Sequence, residues 1–201
     1  MIQEEINEEF FLQFGEYFGG GEPGSNDYGT IVFKREDDEE STTVSMTSLD
    51  EFVQLTPPLI MQPHDNYLNI GGEAFSINDI LEVHLGEAVT GVMNDFLATN
   101  VLKLTAFTFP GTIKYIGMAF CWNAHDITEI ELPASIETIR EFFLHNAVSL
   151  TKLVVNCPPT VLTEGNRYFL EGCTQEIAIS GPYAQAWIDA IPRIHWRLEE
   201  E

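Results

Sequence analysis

Few side chains in this sequence have the type and spacing needed for acid–base or metal chemistry. The histidines are scattered, and we single out His84, which lies beside Glu82 on a predicted strand and faces outward with it. Such a pair could hold a metal or transfer a proton, but an exposed polar face is the simpler interpretation. No G-x-S-x-G, H-E-x-x-H or phosphate-loop pattern occurs. We therefore expect no enzyme activity, no metal site and no cofactor.

The cysteines and the acidic run give no further site. Cys121, Cys157 and Cys173 have no C-x-x-C spacing, and their odd number leaves a thiol unpaired, so we expect buried, small apolar residues. The acidic run at 36–40 has the carboxylates for calcium but lacks the spaced ligands of a calcium-binding loop. This favours a solvated turn between two strands.

The net charge excludes several classes of partner. The 201 residues include 9 Lys and Arg against 32 Asp and Glu, for a formal net charge of -23. That charge repels phosphate backbones and anionic lipid headgroups, so we expect no nucleic-acid partner and no binding to anionic membranes. The hydrophobic content of 44% predicts a buried core. No apolar run reaches the ~20 residues of a membrane span.

The second part of the chain is repetitive. Its repeating columns predict a solenoid whose units share one continuous core. Alternation within each unit predicts parallel strands near residues 106–109, 129–132 and 152–155. An Asn column is expected to be buried and to satisfy backbone groups at the turns. The columns recur at intervals of 23 residues and include Leu97, Phe120 and Phe143; Asn100, Asn123 and Asn146; Leu104, Ile127 and Leu150; and Phe107, Ile130 and Leu153.

One of these units resembles a known repeat. The segment GMAFCWNAHDITEIELPASIETI is similar to the BspA-type leucine-rich repeat, with Gly117, Phe120, Pro133 and Ser135 at matching positions. The resemblance covers about residues 66–197. It implies an α/β repeat fold, a short leucine-rich-repeat solenoid with parallel strands, which we place at residues 59–201. A helix at 182–190 is expected to form part of its C-terminal cap.

The outward positions of the predicted strands form rows of polar side chains on one sheet face. Sheet faces of repeat proteins commonly bind partners, so we expect a protein or a glycan to bind here. The predicted contact residues are Glu82, His84, Thr108, Glu129, Glu131 and Lys152.

The first 58 residues lie outside the resemblance. Residues 1–18 are predicted to form an amphipathic helix, 19–27 a Gly-rich linker, and 28–58 a β-hairpin and short helix that are a candidate N-terminal cap. The helix would fold back on its own domain, dock into another protein or associate with a second copy in a homo-oligomer. Its acidic polar face disfavours a membrane surface. Its apolar residues are Ile2, Ile6, Phe10, Phe11, Phe14, Tyr17 and Phe18.

These features together predict a non-enzymatic structural or interaction module. The leading hypothesis is a decoration, fibre or assembly protein in the virion of a tailed phage, anchored by the N-terminal helix. It depends on the order of anchor, linker and display unit and on the absence of an export signal at the start. The alternative is a bacterial cell-surface adhesin that binds host protein or glycan, as the resemblance implies. The expected location is the virion or the cytoplasm of a bacterial host, or else the bacterial cell surface.

Overall fold

The computed structural model describes residues 27–48, 67–70, 72–89, 91–93, 98, 100–163 and 168–199. The predicted helix at 1–18, nearly all of the predicted linker and residues 49–58 of the predicted hairpin and short helix lie outside the described residues. The strands are β1 (Gly29–Phe33), β2 (Thr42–Ser45), β3 (Tyr67–Ile70), β4 (Glu73–Ser76), β5 (Ile80–Leu85), β6 (Gly91–Met93), β7 (Ala106–Thr108), β8 (Ile113–Ile116), β9 (Glu129–Leu132), β10 (Thr138–Ile139), β11 (Lys152–Val155), β12 (Ile177–Ser180) and β13 (Trp196–Leu198), joined by the helix α1 (Ala184–Ala190) and by 3-10 turns at Ile77–Asp79 and Pro159–Val161.

The main sheet has eight strands in the order β13-β12-β11-β9-β7-β5-β1-β2. Pairing is parallel from β5 through β13, which confirms the predicted solenoid of parallel strands. A narrower parallel sheet, β10-β8-β6, forms a second side of the solenoid. Two consecutive units therefore stack strand on strand in both sheets, as the interval of 23 residues requires.

The N-terminal hairpin extends the main sheet. Strand β1 pairs antiparallel with β2 on one side and with β5 on the other. The predicted hairpin is therefore present at the β5 edge of the solenoid sheet, and the acidic run lies in its connection. The separate hairpin β3–β4 precedes the first solenoid strand. The division of the chain into domains stays a prediction.

The third side of each unit differs from the expected α/β repeat. It consists of turns in which alternate residues have positive φ, as at Cys121 (50°) and Asn123 (61°), and again at Phe142 (61°) and Leu144 (50°). Backbone hydrogen bonds run between units here, for example from Leu144 N to Phe120 O at 2.9 Å. Within the described residues the α-helical part is limited to α1, so the α component of the predicted α/β repeat is wrong for the units themselves.

A column of aromatic rings fills the centre of the solenoid. Phe120 stacks on Phe143 with centroids 5.4 Å apart, and Phe143 stacks on Phe169 at 5.2 Å. The column ends on Trp187 of α1, whose Nε1 donates to Cys157 O at 2.8 Å. All these side chains are fully buried. The helix predicted at 182–190 therefore covers the end of the core, although it begins at Ala184.

The asparagine column corrects one expectation about polar groups. Asn100, Asn123 and Asn146 are half-buried rather than buried. Their side-chain amides bond to one another: Asn123 Nδ2 donates to Asn100 Oδ1 at 2.8 Å, and Asn146 Nδ2 donates to Asn123 Oδ1 at 3.0 Å. All three have φ near +60°, a conformation that Asn tolerates better than most residues. We call this row the Asn ladder. Gly172, with φ of 86°, takes the next position.

Candidate interaction surface

Strand alternation places two rows of side chains on the outward face of the main sheet. Buried residues such as Val83 and Ile130 alternate with these positions, so the rows point away from the core, although Ala178 in one row is itself buried. All six residues predicted from the sequence lie on this outward face. The register aligns Val32, Glu82, Ala106, Glu129, Lys152, Ala178 and Arg197 in one row; in the other, Thr30 lies opposite His84, His84 opposite Thr108, and Glu131 opposite Val154.

His84 is the centre of a small polar cluster on this face. Its Nε2 lies 2.8 Å from Glu82 Oε2, and its Nδ1 lies 2.9 Å from Thr108 Oγ1. The His84 and Glu82 side chains are 37% and 40% exposed. Within the described ranges, no group of three or more His, Cys, Asp and Glu side chains is placed to hold a metal ion. The cluster can exchange hydrogen bonds with a partner that covers it.

The other predicted residues pair across the strands. Lys152 Nζ lies 2.8 Å from Glu129 Oε1, and this hydrogen bond, with the Glu129 charge, raises the pKa of Lys152. Glu131 Oε1 accepts from Asn156 Nδ2 at 2.8 Å. The structure therefore brings together Glu82, His84 and Thr108 in one cluster, and Glu129 with Lys152 in another.

The ion pairs on this face contribute little to the stability of the fold. The Lys152 and Glu129 side chains are 37% and 51% exposed, and exposed ion pairs contribute only about 0–1 kcal/mol. Breaking such a pair costs the fold little. A partner with complementary charges can therefore replace these contacts with its own, and this kind of complementarity gives specificity in protein recognition.

The thiols take no part in this face. Cys121, Cys157 and Cys173 are free and buried, which confirms the expectation that they pack as small apolar residues. Burial raises the pKa of Cys121 well above its ordinary value and raises the pKa of Cys157 and of Cys173 to about 11. All three thiols therefore stay protonated, and so are poor nucleophiles, at neutral pH.

The face also contains residues that the sequence does not predict, among them Thr30, Val32 and Asn156. Thr30 and Val32 of β1 extend the rows beyond the solenoid strands, because β1 pairs with β5. The alternation in GTIVF was the available sign, but it does not reveal the partner strand. Asn156 follows β11 and reaches back to Glu131 of the preceding unit. No local pattern in the sequence links these two residues.

Stacked parallel strands, a repeat of 23 residues and a buried phenylalanine column define a leucine-rich-repeat solenoid. The family model of the BspA-type leucine-rich repeat region matches residues 59–179 in six copies. The chain therefore belongs to that family, and the match begins somewhat before the resemblance noted at about 66–197. No curated protein and no solved structure matches the chain. Repeats of this family typically form non-enzymatic surfaces for protein interaction. In the described part of the chain, no helix is long and apolar enough to span a membrane.

Proposed function

We propose that the chain is a non-enzymatic binding module that presents its outward face to a protein partner. The observation that carries the proposal is the unbroken register of outward side chains from β1 to β13. The seven strands from β1 to β13, at a spacing of about 4.8 Å, make this face about 29 Å long. Both signs of charge occur on it, at Glu129 and Lys152, which suits a partner with a mixed, complementary surface.

Site-specific photo-crosslinking in the organism that encodes the chain tests this proposal. A crosslinking side chain at Thr108, on the face, is expected to capture a defined partner. The same group at Asp126, which is exposed in a turn before β9, serves as the control and is expected to capture none. The charge reversal Glu131→Arg should then abolish the crosslink at position 108, whereas Asp126→Arg should preserve it. Equal capture from both positions, or capture that survives Glu131→Arg, contradicts the proposal.

A more specific setting is supported by the N-terminal sequence. Residues 1–18 combine an apolar stripe with acidic residues and are followed by a glycine-rich segment, as expected of a tethered anchor that docks into a groove. On this proposal the chain is a virion decoration, fibre or assembly protein of a tailed phage. Deletion of residues 1–25 is then expected to release it from the particle while the crosslink at position 108 is retained. Unchanged particle association after the deletion would refute the anchor.

The alternative setting is the bacterial cell surface, where the chain would act as an adhesin. Membership of the BspA-type family supports it, and the histidine, threonine and carboxylate side chains of the outward face can bind host protein or glycan. Fractionation of the native cells distinguishes the two settings, since an adhesin is recovered with the envelope and a virion protein with released particles. A homo-oligomer formed through residues 1–18 is a further proposal, and loss of the oligomer on the same deletion would support it.

A further inference from the structure

A second surface lies away from the outward face, at the junction of the hairpin and the solenoid. An open cleft of about 500 Å³ is lined there by side chains from four separate segments. They come from the β1–β2 connection, from the β3–β4 hairpin, from the 3-10 turn before β5 and from the turn before β7. The polar and charged side chains of the lining are Arg35, Glu36, Tyr67, Ser76, Asn78, Asp79 and Lys103.

The cleft holds cations that lack acidic partners. In the part of the chain that the structure describes, Arg35 and Lys103 form no ion pair, whereas Lys114, Lys152 and Arg197 are each within 3.0 Å of a carboxylate. Two unpaired bases on one cleft are notable in a chain with 9 Lys and Arg and a net charge of -23. Glu36 and Asp79 also line the cleft, so the formal charges of its lining balance. Arg35 and Lys103 offer two cationic positions within it that can form charged hydrogen bonds to an anionic group.

Arg35 is positioned by aromatic contacts instead of by a carboxylate. Its guanidinium carbon lies 5.8 Å from the ring centroids of Phe33 and Phe75, which contact each other at 3.9 Å. Cation–π contacts of this kind orient the planar group without neutralising its charge. Arg35 is exposed, and a guanidinium can bind a planar carboxylate in a two-pronged geometry.

The remaining lining groups fit a polyhydroxylated ligand. Tyr67 is 62% exposed, and its ring face can pack against the C–H groups of a sugar ring. Ser76, Asn78 and Asp79 offer hydroxyl, amide and carboxylate groups for sugar hydroxyls. Asp79 would repel a dianion such as phosphate but can accept hydrogen bonds from hydroxyl groups. We propose that this cleft binds an acidic saccharide, with its carboxylate at Arg35 and Lys103 and a sugar ring on Tyr67.

Calorimetric titration with trigalacturonate and with its methyl ester tests the proposal, because the two differ only in the charged group. The full-length chain is expected to bind the acid about tenfold more tightly than the ester, as the loss of charged hydrogen bonds implies. Lys103→Gln should remove most of this preference while leaving affinity for the ester unchanged. Tyr67→Ala should weaken both ligands. The matched control is Lys114→Gln, an exposed base that pairs with Glu137 in another part of the solenoid.

Several outcomes would overturn the proposal. These are absence of trigalacturonate binding at millimolar concentration, equal affinity for acid and ester, or an equal loss in Lys114→Gln and Lys103→Gln. Displacement of trigalacturonate by an equal concentration of inorganic phosphate would show a general anion site and would also overturn it. Lys103 is exposed, so Lys103→Gln is expected to fold, and an unchanged circular dichroism spectrum checks this. The cleft does not include the outward face, so the crosslinking test and this titration can fail independently.

Discussion

Replacement of Asn123 tests whether the Asn ladder stabilises the solenoid. This side chain donates to Asn100 Oδ1 at 2.8 Å and accepts from Asn146 Nδ2 at 3.0 Å, so truncation removes both bonds. At about 0.5–1.5 kcal/mol each, their loss costs about 1–3 kcal/mol. The residue also has φ of 61°, and a side chain that does not favour this region adds about 1 kcal/mol. Asn123→Ala should therefore lower the free energy of unfolding by about 2–4 kcal/mol.

Asn123→Gly separates the two contributions. Glycine loses the same two hydrogen bonds but adopts the positive φ without steric cost. We therefore expect Asn123→Gly to be destabilised by about 1–3 kcal/mol, less than the alanine variant. Urea unfolding followed by circular dichroism measures both, and each kcal/mol should also lower the melting midpoint by about 2–4 °C in a chain of this size. If both variants are as stable as the unsubstituted chain, the Asn ladder does not stabilise the solenoid. If Asn123→Ala and Asn123→Gly are equally stable, the positive φ at this position makes no contribution to the loss.

The isosteric variant Asn123→Asp gives a pH-dependent check of the same contacts. A carboxylate still accepts from Asn146 but cannot donate to Asn100, so two oxygens face each other. The protonated acid can donate, which implies a folded-state pKa above the unfolded value. A group with that shift contributes its stability below the unfolded pKa and loses it as the pH rises through the folded pKa. The deficit relative to the unsubstituted chain should therefore be largest at pH 7 and shrink near pH 4. A deficit that is constant with pH would contradict the assigned donor.

Three further changes should have distinct outcomes. Gly172→Ala should destabilise the fold by about 2–4 kcal/mol, because φ is 86° and the added Cβ would collide with Asn146 Oδ1. In urea unfolding, the further substitution Asn146→Ala in the same chain should recover part of this loss. Strictly additive losses from the two substitutions would contradict the clash. Burial raises the pKa of Cys157 and of Cys173 from 9.0 to about 11. The stability that each protonated thiol contributes to the fold is therefore complete below pH 9, and about 2 kcal/mol per thiol is lost as the pH rises to 11. Cys157→Ala should lose less stability between pH 8 and 10.5 than the unsubstituted chain does, and an equal loss in both would count against the shift. Lys152→Gln should change the free energy of unfolding by less than about 1 kcal/mol, and a larger change would show that its pair with a carboxylate is structural.

The strands could be predicted because their cause is local. Alternation of buried and exposed residues defines β9 and β11 at the residues expected from the sequence, and β7 ends one residue earlier. Each buried strand residue packs against the equivalent residue of the next unit in the same core column, so the pattern of one unit is supported by the next. The same alternation placed all six predicted contact residues on the outward face.

The turns could not be predicted because their cause is not local. Phe142 has φ of 61°, which a bulky side chain disfavours, so its residue type gives no indication of the conformation. It is accommodated by contacts between units: Leu144 N donates to Phe120 O at 2.9 Å, and the Phe142 ring stacks on Tyr168 with centroids 4.4 Å apart. The cleft has the same origin, because Arg35 and Lys103 line one space only when the hairpin pairs with the first solenoid strand.

The distribution of charge connects these surfaces. Residues 1–66 hold 15 acids and 2 bases, whereas residues 67–201 hold 17 acids and 7 bases. Along the outward face, bases pair with acids, as Lys152 does with Glu129 and Arg197 with Glu176, so this face has weak local fields despite the total of -23. At the cleft, Arg35 and Lys103 form no ion pair within the described residues, and Glu36 and Asp79 line the same space. Salt of physiological strength screens fields beyond about 8 Å, so a ligand responds to the charges at its own site more than to the net charge. A strongly acidic chain can therefore hold a mixed protein-binding face and a site for an anion at once.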